Sequence, residues 1–314
     1  MSVIEVNNLT KDYGFGRGVF DVTLHVDEGE VFGFLGPNGA GKSTTIRHLL
    51  GFSRPQSGET KIFGKDTFEK YFEILSSVGY IPGEIALPAG LTGYEFISMM
   101  QSLQHKKNDE RLKEMLELFD LKDNVLKGET KRMSLGVKRK LAVVTAFMSD
   151  PQVLILDEPT SGLDPVMQEV FVKFIESEKA RGKTVLLSSH IFSEVDATCD
   201  RIAIIKDGRI VSEFLANDLK HTSDKTYKIR LSDSAEFDRF IQNAKDTSAF
   251  RIIKSRPETF SITLSTSDDK VNDVIAYLSK YSMTEFTHKK ETLEDYFMKF
   301  YKEDKTFEGV RGVK

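Results

Sequence analysis

The sequence predicts an α/β domain built on a mostly parallel sheet, with a smaller α+β module behind it. Three observations carry that expectation. Short apolar runs recur along residues 1 to about 220: "VIEV", "VFGFLG", "VGYI", "VLILD", "TVLLSS" and "IAIIK". Several are almost unbroken in apolar residues, as strands covered on both faces should be. Helical patterns stand between them, and in "ERLKEMLELFDL" (110–121) Leu112, Met115, Leu116 and Phe119 recur at helical spacing. Strands alternating with helices imply parallel order.

The texture changes after about residue 222. "TYKIRL" (226–231) reads as a strand, "AEFDRFIQNA" (235–244) as a helix, and "FRIIKS" and "TFSITL" as two strands. "VNDVIAYLSKY" (271–281) reads as a helix, "TEFTH" as a last strand and "TLEDYFMKFYK" (292–302) as a closing amphipathic helix. That order is βαββαβ, the ferredoxin-like split-βαβ plan, whose commonest use is a small regulatory or dimerisation module. The expected organisation is therefore a first domain over 1–220, an accessory domain over 221–302 and a polar tail over 303–314.

Composition bounds the class. A chain of 314 residues, 29% charged and 39% hydrophobic, suits a globular protein of roughly two domains. The formal net charge of −4 supplies no global basic field for nucleic acid. One cysteine, Cys199, cannot close an intrachain disulfide, which points to a reducing compartment. "MSVIEVNNLTKDYG" lacks the basic stretch and apolar core of a secretion signal. The longest apolar stretch, "LAVVTAFM" (141–148), falls far short of the ~18 residues of a membrane span. The expectation is a cytoplasmic chain without direct membrane insertion, reaching any membrane through a partner.

The chemistry concentrates in a few segments. "GPNGAGKST" (36–44) follows the strand "VFGFL" and leads into the helical pattern "TTIRHLL". This is the phosphate-loop pattern G-x-x-x-x-G-K-[ST] in its strand–loop–helix context. Gly36, Pro37, Asn38, Gly39, Ala40 and Gly41 form the cradle, its glycines letting backbone amides face the phosphates. Lys42 adds a point charge, Ser43 offers a hydroxyl to Mg²⁺, and Thr44 continues into the helix. "VLILDEPT" ends a buried strand in two carboxylates, at least one of which needs a cation. Asp157 suits Mg²⁺, and Glu158 is placed to take a proton from an attacking water. "LLSSH" sets His190 at another strand end, as a structural group or as a sensor of the terminal phosphate. A second anion site is predicted at "MSLGVKRK" (133–140), where Ser134 caps a helix and Gly136 sits in its first turn.

These motifs, in this order and spacing, resemble the ATP-binding cassette (ABC) family over residues 2 to about 220. The resemblance implies a P-loop cassette with a helical subdomain, ATP and Mg²⁺ as cofactors, and ATP hydrolysis. It makes Tyr13 in "KDYG" the aromatic that stacks on adenine, with a core tyrosine as the alternative. "SGLD" (161–164) resembles the loop between paired nucleotide sites, with Asp164 at its tip. "MSLGVK" stands where the LSGGQ signature stands, with Met133, Leu135 and Val137 departing from it. In the family that segment closes over ATP bound to a second cassette. One phosphate loop per chain then implies a homodimer, or a pair with another cassette subunit. The basic cluster Lys138, Arg139 and Lys140 would face the nucleotide, leaving no call for nucleic acid.

Another departure lies in "VGYIPGEIALPAGLTGYEFI" (78–97), where the family has a glutamine loop. Gly83 and Glu84 stand there, so either Glu84 replaces the glutamine as a metal ligand or the segment is a plain connector. Pro82, Pro88, Gly90 and Gly93 mark it as loop. The short cassette, with its C-terminal "LEDYFMKFY", resembles the ATP-binding subunits of ABC-2-type exporters, the drug, antibiotic and bacteriocin-immunity branch. That resemblance implies an ATPase on the inner membrane face, coupled to a separate integral membrane permease. A non-transport cassette ATPase and an importer motor are the alternatives.

Overall fold

A computed structural model describes residues 1–220, 224–244, 247–289 and 292–302. The expected tail at 303–314 lies outside the described residues. Contacts divide the chain into two compact units, Met1–Ala216 and Asn217–Lys314.

The first unit carries ten strands: β1 (Ser2–Asp12), β2 (Gly18–Asp27), β3 (Val31–Leu35), β4 (Ser57–Ile62), β5 (Lys65–Asp66), β6 (Val78–Ile81), β7 (Val153–Asp157), β8 (Thr184–Ser189), β9 (Arg201–Lys206) and β10 (Arg209–Leu215). Six form one sheet in the order β10-β9-β3-β8-β7-β6. Its inner pairs are parallel, and only β10 runs antiparallel, at the edge. Strands β3, β7 and β8 are buried at every residue, which explains their unbroken apolar runs.

A second, antiparallel sheet runs β2-β1-β4-β5. Sequence reading found only β1 of this sheet. In "GVFDVTLHVD" only alternate residues are buried, and "SGETKI" is mostly polar, so neither strand presents a continuous apolar run. One core joins the sheets: Val6, Leu9, Val22 and Leu24 pack with Phe34, Ile155, and Ile46 and Leu49 of the helix Lys42–Leu49.

Helices fill the chain between β6 and β7. Gly93–Gln104 starts on a capping box in which Thr92 and Glu95 exchange hydrogen bonds. Gly93 therefore opens a helix rather than extending the loop, a start that T-x-x-E spelled out. Asp109–Leu118 occupies the segment expected from its apolar spacing. Leu135–Phe147 follows Ser134, and Phe147 meets Phe174 of the helix Pro165–Ala180 edge-on at 4.7 Å.

The second unit contains β11 (Asp224–Leu231), β12 (Arg251–Arg256), β13 (Ser261–Ser267) and β14 (Met283–Lys289) in the order β12-β13-β11-β14, all antiparallel. Helices Ser234–Asn243 and Val271–Leu278 pack Phe237, Phe240, Val274 and Leu278 onto Ile229, Ile262 and Leu264. Strand and helix order match the split-βαβ plan.

Candidate active site

The carboxyl ends of adjacent parallel strands bring the site together, where ligands bind in open α/β sheets. Strand β3 delivers the loop 36–41, β7 delivers Asp157 and Glu158, β8 leads to His190, and β6 leads to Gly83. The loop curls so tightly that Gly41 takes φ 115°, outside the range comfortable for other residues. A Cβ there would also lie 2.8 Å from Val19 Cγ1. Helix Lys42–Leu49 then starts with its amides toward the loop, the geometry that favours phosphate.

Lys42 is 5% exposed, and its ammonium donates to Gly36 O at 2.6 Å and Pro37 O at 3.3 Å. It also pairs with Glu158 Oε1 at 3.2 Å. The other oxygen of Glu158 meets His190 Nδ1. Glu158 itself sits in the left-handed region at φ 50°, a conformation costing roughly 1–2 kcal/mol for an L-residue. Its amide donates to Ser188 O at 2.9 Å, which fixes this turn beside β8.

Asp157 is 3% exposed and accepts from Ser43 Oγ at 2.6 Å on Oδ2 and from Ser188 Oγ at 2.9 Å on Oδ1. Among the described residues no lysine, arginine or histidine pairs with it. A buried carboxylate satisfied only by hydroxyls, with hard oxygen donors beside it, is suited to a divalent cation. The structure thus brings together Lys42, Ser43, Asp157, Glu158 and His190.

Other expected site residues lie elsewhere. Tyr13 is half exposed in the turn between β1 and β2, with the Lys11 ammonium 6.0 Å above its ring. That turn ends at Gly18, whose carbonyl lies close to Gly41. Ser134 is the exposed N-cap of Leu135–Phe147, accepting from Val137 N at 3.3 Å. Gly136 packs against the carbonyl of Gly162, so the signature segment borders the loop 161–164. Asp164 caps the helix Pro165–Ala180, accepting from Met167 N at 3.0 Å.

One expectation is corrected. Arg139 does not turn outward to a nucleotide: it is 2% exposed and donates to Ser161 O at 2.9 Å, Pro82 O at 2.8 Å and Gly83 O at 2.7 Å. Burial pulls its guanidinium below the ordinary value, opposed by the charges of Asp157 and Glu158. Glu84 is exposed, and among the described residues its carboxylate makes no hydrogen bond or ion pair. Arg139 holds the two preceding carbonyls, so the residue set against Asp157 is Gly83: a Cβ there would lie 3.2 Å from Oδ2.

With that geometry in place, comparison with known proteins decides the family. The ABC transporter family model matches residues 19–161. The bacitracin transport ATP-binding protein BcrA of Bacillus licheniformis is 38% identical over 239 residues, covering 74% of this chain and 76% of that protein. This chain belongs to the ABC transporter family. The daunorubicin/doxorubicin resistance ATP-binding protein DrrA of Streptomyces peucetius is 35% identical over 248 residues, 76% of this ABC chain and 74% of its relative. A solved ATP-binding subunit of an ABC transporter superposes with TM-score 0.65 at 31% identity, covering 70% of this chain and 92% of that one.

As an ABC ATPase, the chain binds ATP and hydrolyses its terminal phosphate. Phosphates entering the loop would compete with Glu158, Gly36 O and Pro37 O for Lys42. Capture of that ammonium would free a Glu158 oxygen, an arrangement able to accept a proton from water. Sequence reading missed Ser188 and misplaced Arg139. Ser188 had a signal, since a hydroxyl inside the fully buried run "TVLLSS" must bond inward. Arg139 had none, because a basic run reads as a solvated face.

Proposed function

We propose that this ABC ATPase is the motor of an exporter, working as a pair of cassettes that drives a separate membrane permease. The observation that carries the pairing is the exposed, Ser134-capped helix start, a second place where helix amides can meet an anion. In a two-fold pair one chain's Ser134 and Gly136 would close over ATP seated on the other chain's phosphate loop. Asp164 would lie at that junction and Tyr13 beside the adenine. Export is favoured by the relatives, named for bacitracin transport and for drug resistance. Among the described residues no helix is long and apolar enough to cross a membrane. The reading assigns the motor to residues 1–220 and leaves 221–302 as an accessory module.

Ser43 and Asp157 would hold Mg²⁺, which when bound neutralises charge on the β- and γ-phosphates. This assignment gives Glu84 no metal contact. Glu84→Ala is expected to leave the Mg²⁺ titration of the ATPase within about twofold of wild type, as for other exposed positions away from a site. Gly83→Ala pushes a methyl group onto Asp157 Oδ2 and should raise the Mg²⁺ requirement. A shift from Glu84→Ala alone would return that carboxylate to the metal site.

The export reading is tested in inverted membrane vesicles carrying this chain and the membrane protein that co-purifies with it. ATP-dependent uptake of the exported compound is the expected result, lost with Lys42→Ala. Co-purification with ribosomes or DNA instead, with no membrane protein, would contradict it.

A further inference from the structure

We infer that Glu194 is a positioning residue for the reacting centre, a buried tie between the chain that follows Glu158 and the chain that precedes His190. It lies on the short helix Phe192–Thr198 and is 4% exposed. Its Oε2 accepts from Ser189 Oγ at 2.7 Å and from Thr160 Oγ1 at 3.2 Å. Ser189 and Thr160 are themselves buried, at 0% and 2% exposure. Ser189 adjoins His190, and its Oγ also accepts from Ile191 N at 3.0 Å, so the turn bearing the histidine is fixed on both sides. Thr160 stands in the turn after Glu158, where Ser161 N closes back on Glu158 O at 3.2 Å. One carboxylate oxygen thus joins the two segments whose side chains meet as the Glu158–His190 pair.

Packing alone does not account for an acid here. Among the described residues Glu194 has no cationic partner, and its Oε1 is buried without a hydrogen bond. Burial pushes the carboxyl up to about 7, with the charge of Glu158 adding to the rise. An isolated buried carboxylate is costly, so its presence calls for a job that an apolar residue cannot do. That job is to accept from two hydroxyls at once, which needs an oxygen and not a charge. A turn held this way keeps Glu158 and His190 in register while the phosphates take Lys42 away. Misplacement of a positioned group by about 1 Å can cost about 100-fold in rate.

This inference rests on the reading of Glu158 as the group that accepts the proton. The test compares Glu194→Ala, Glu194→Gln and Thr160→Val in the full chain, with Glu158→Gln as reference. ATP affinity is read by calorimetry, kcat and KM by steady-state hydrolysis, and folding by thermal melting. Glu194→Ala should lower kcat about 10- to 100-fold with KM and Kd within about twofold. Glu194→Gln keeps an acceptor oxygen and should recover kcat to within about threefold of wild type. Because burial raises the carboxyl, its penalty on the fold is absent below its unfolded value and complete above about 7. Glu194→Gln should therefore melt higher than wild type above pH 7, the gap closing toward pH 4. If Glu194→Ala fails to fold, Thr160→Val still severs one arm and should lower kcat with KM unchanged. Wild-type kcat in the severed variants, or a Gln variant as slow as the Ala variant, overturns the proposal. Undiminished turnover in Glu158→Gln would instead refute the reading beneath it.

Discussion

Glu158→Gln is expected to bind ATP as the wild type does and to hydrolyse it about 10²–10⁴-fold more slowly. The amide has the size of the carboxylate, so the turn at φ 50° remains available, with the amide oxygen able to accept from Lys42 and the NH2 able to donate to His190 Nδ1. Basicity is what disappears. Asp157, held by Ser43 and Ser188, is untouched, so the group proposed to hold the metal stays in place. A site that fills but does not fire should accumulate in the ATP-bound state. In the proposed pair that state is the closed dimer, visible by light scattering when ATP is added. Near-wild-type turnover would remove Glu158 from the chemistry.

Lys42→Ala should act one step earlier, on binding itself. Its ammonium lies between two loop carbonyls and Glu158, where the phosphates must enter. Removing it deletes a charge-assisted contact worth roughly 1.5–3 kcal/mol, so Kd for ATP should rise from about tenfold to more than 100-fold. Glu158 is also left without its cation in a largely buried place, which adds repulsion toward the phosphates. Calorimetry separates this from Glu158→Gln: the first loses affinity, the second only turnover. Equal ATP affinity in Lys42→Ala and wild type would place the phosphates elsewhere.

The parts legible in the sequence share a physical origin. Strands β3, β7 and β8 are buried on both faces, so their apolar runs stood out, and the loops after them carried the phosphate-loop glycines and the paired carboxylates. Strands β2 and β10 bury one face or an edge, and their alternation was lost among polar residues. The groups that steer the site were hidden for a different reason. Arg139 and Glu194 are charged residues, and charge usually reads as surface, yet each points inward to satisfy polar atoms far away in sequence. Glu84 is the opposite case, a charged residue that the fold leaves exposed. Its neighbourhood in the sequence leaves a ligand and a connector both open, and in the fold Gly83 is the residue set against Asp157. Only the fold of the chain after β6 distinguishes two adjacent residues.

The central claim is that one chain's phosphate loop and another chain's Ser134 make a single working site. Lys42→Ala and Ser134→Arg damage opposite halves of that site. The Ser134 position is exposed and outside the Lys42 cluster, so its variant should still bind ATP and lose only turnover. Mixing the two inactive proteins creates heterodimers in which one site pairs an intact Lys42 with an intact Ser134, while the other carries both lesions. ATP hydrolysis by the mixture is the measurement. Partial recovery that rises with the fraction of heterodimer is the predicted result. Heterodimers that form, as shown by differential tags, yet hydrolyse no more ATP than either parent would contradict it.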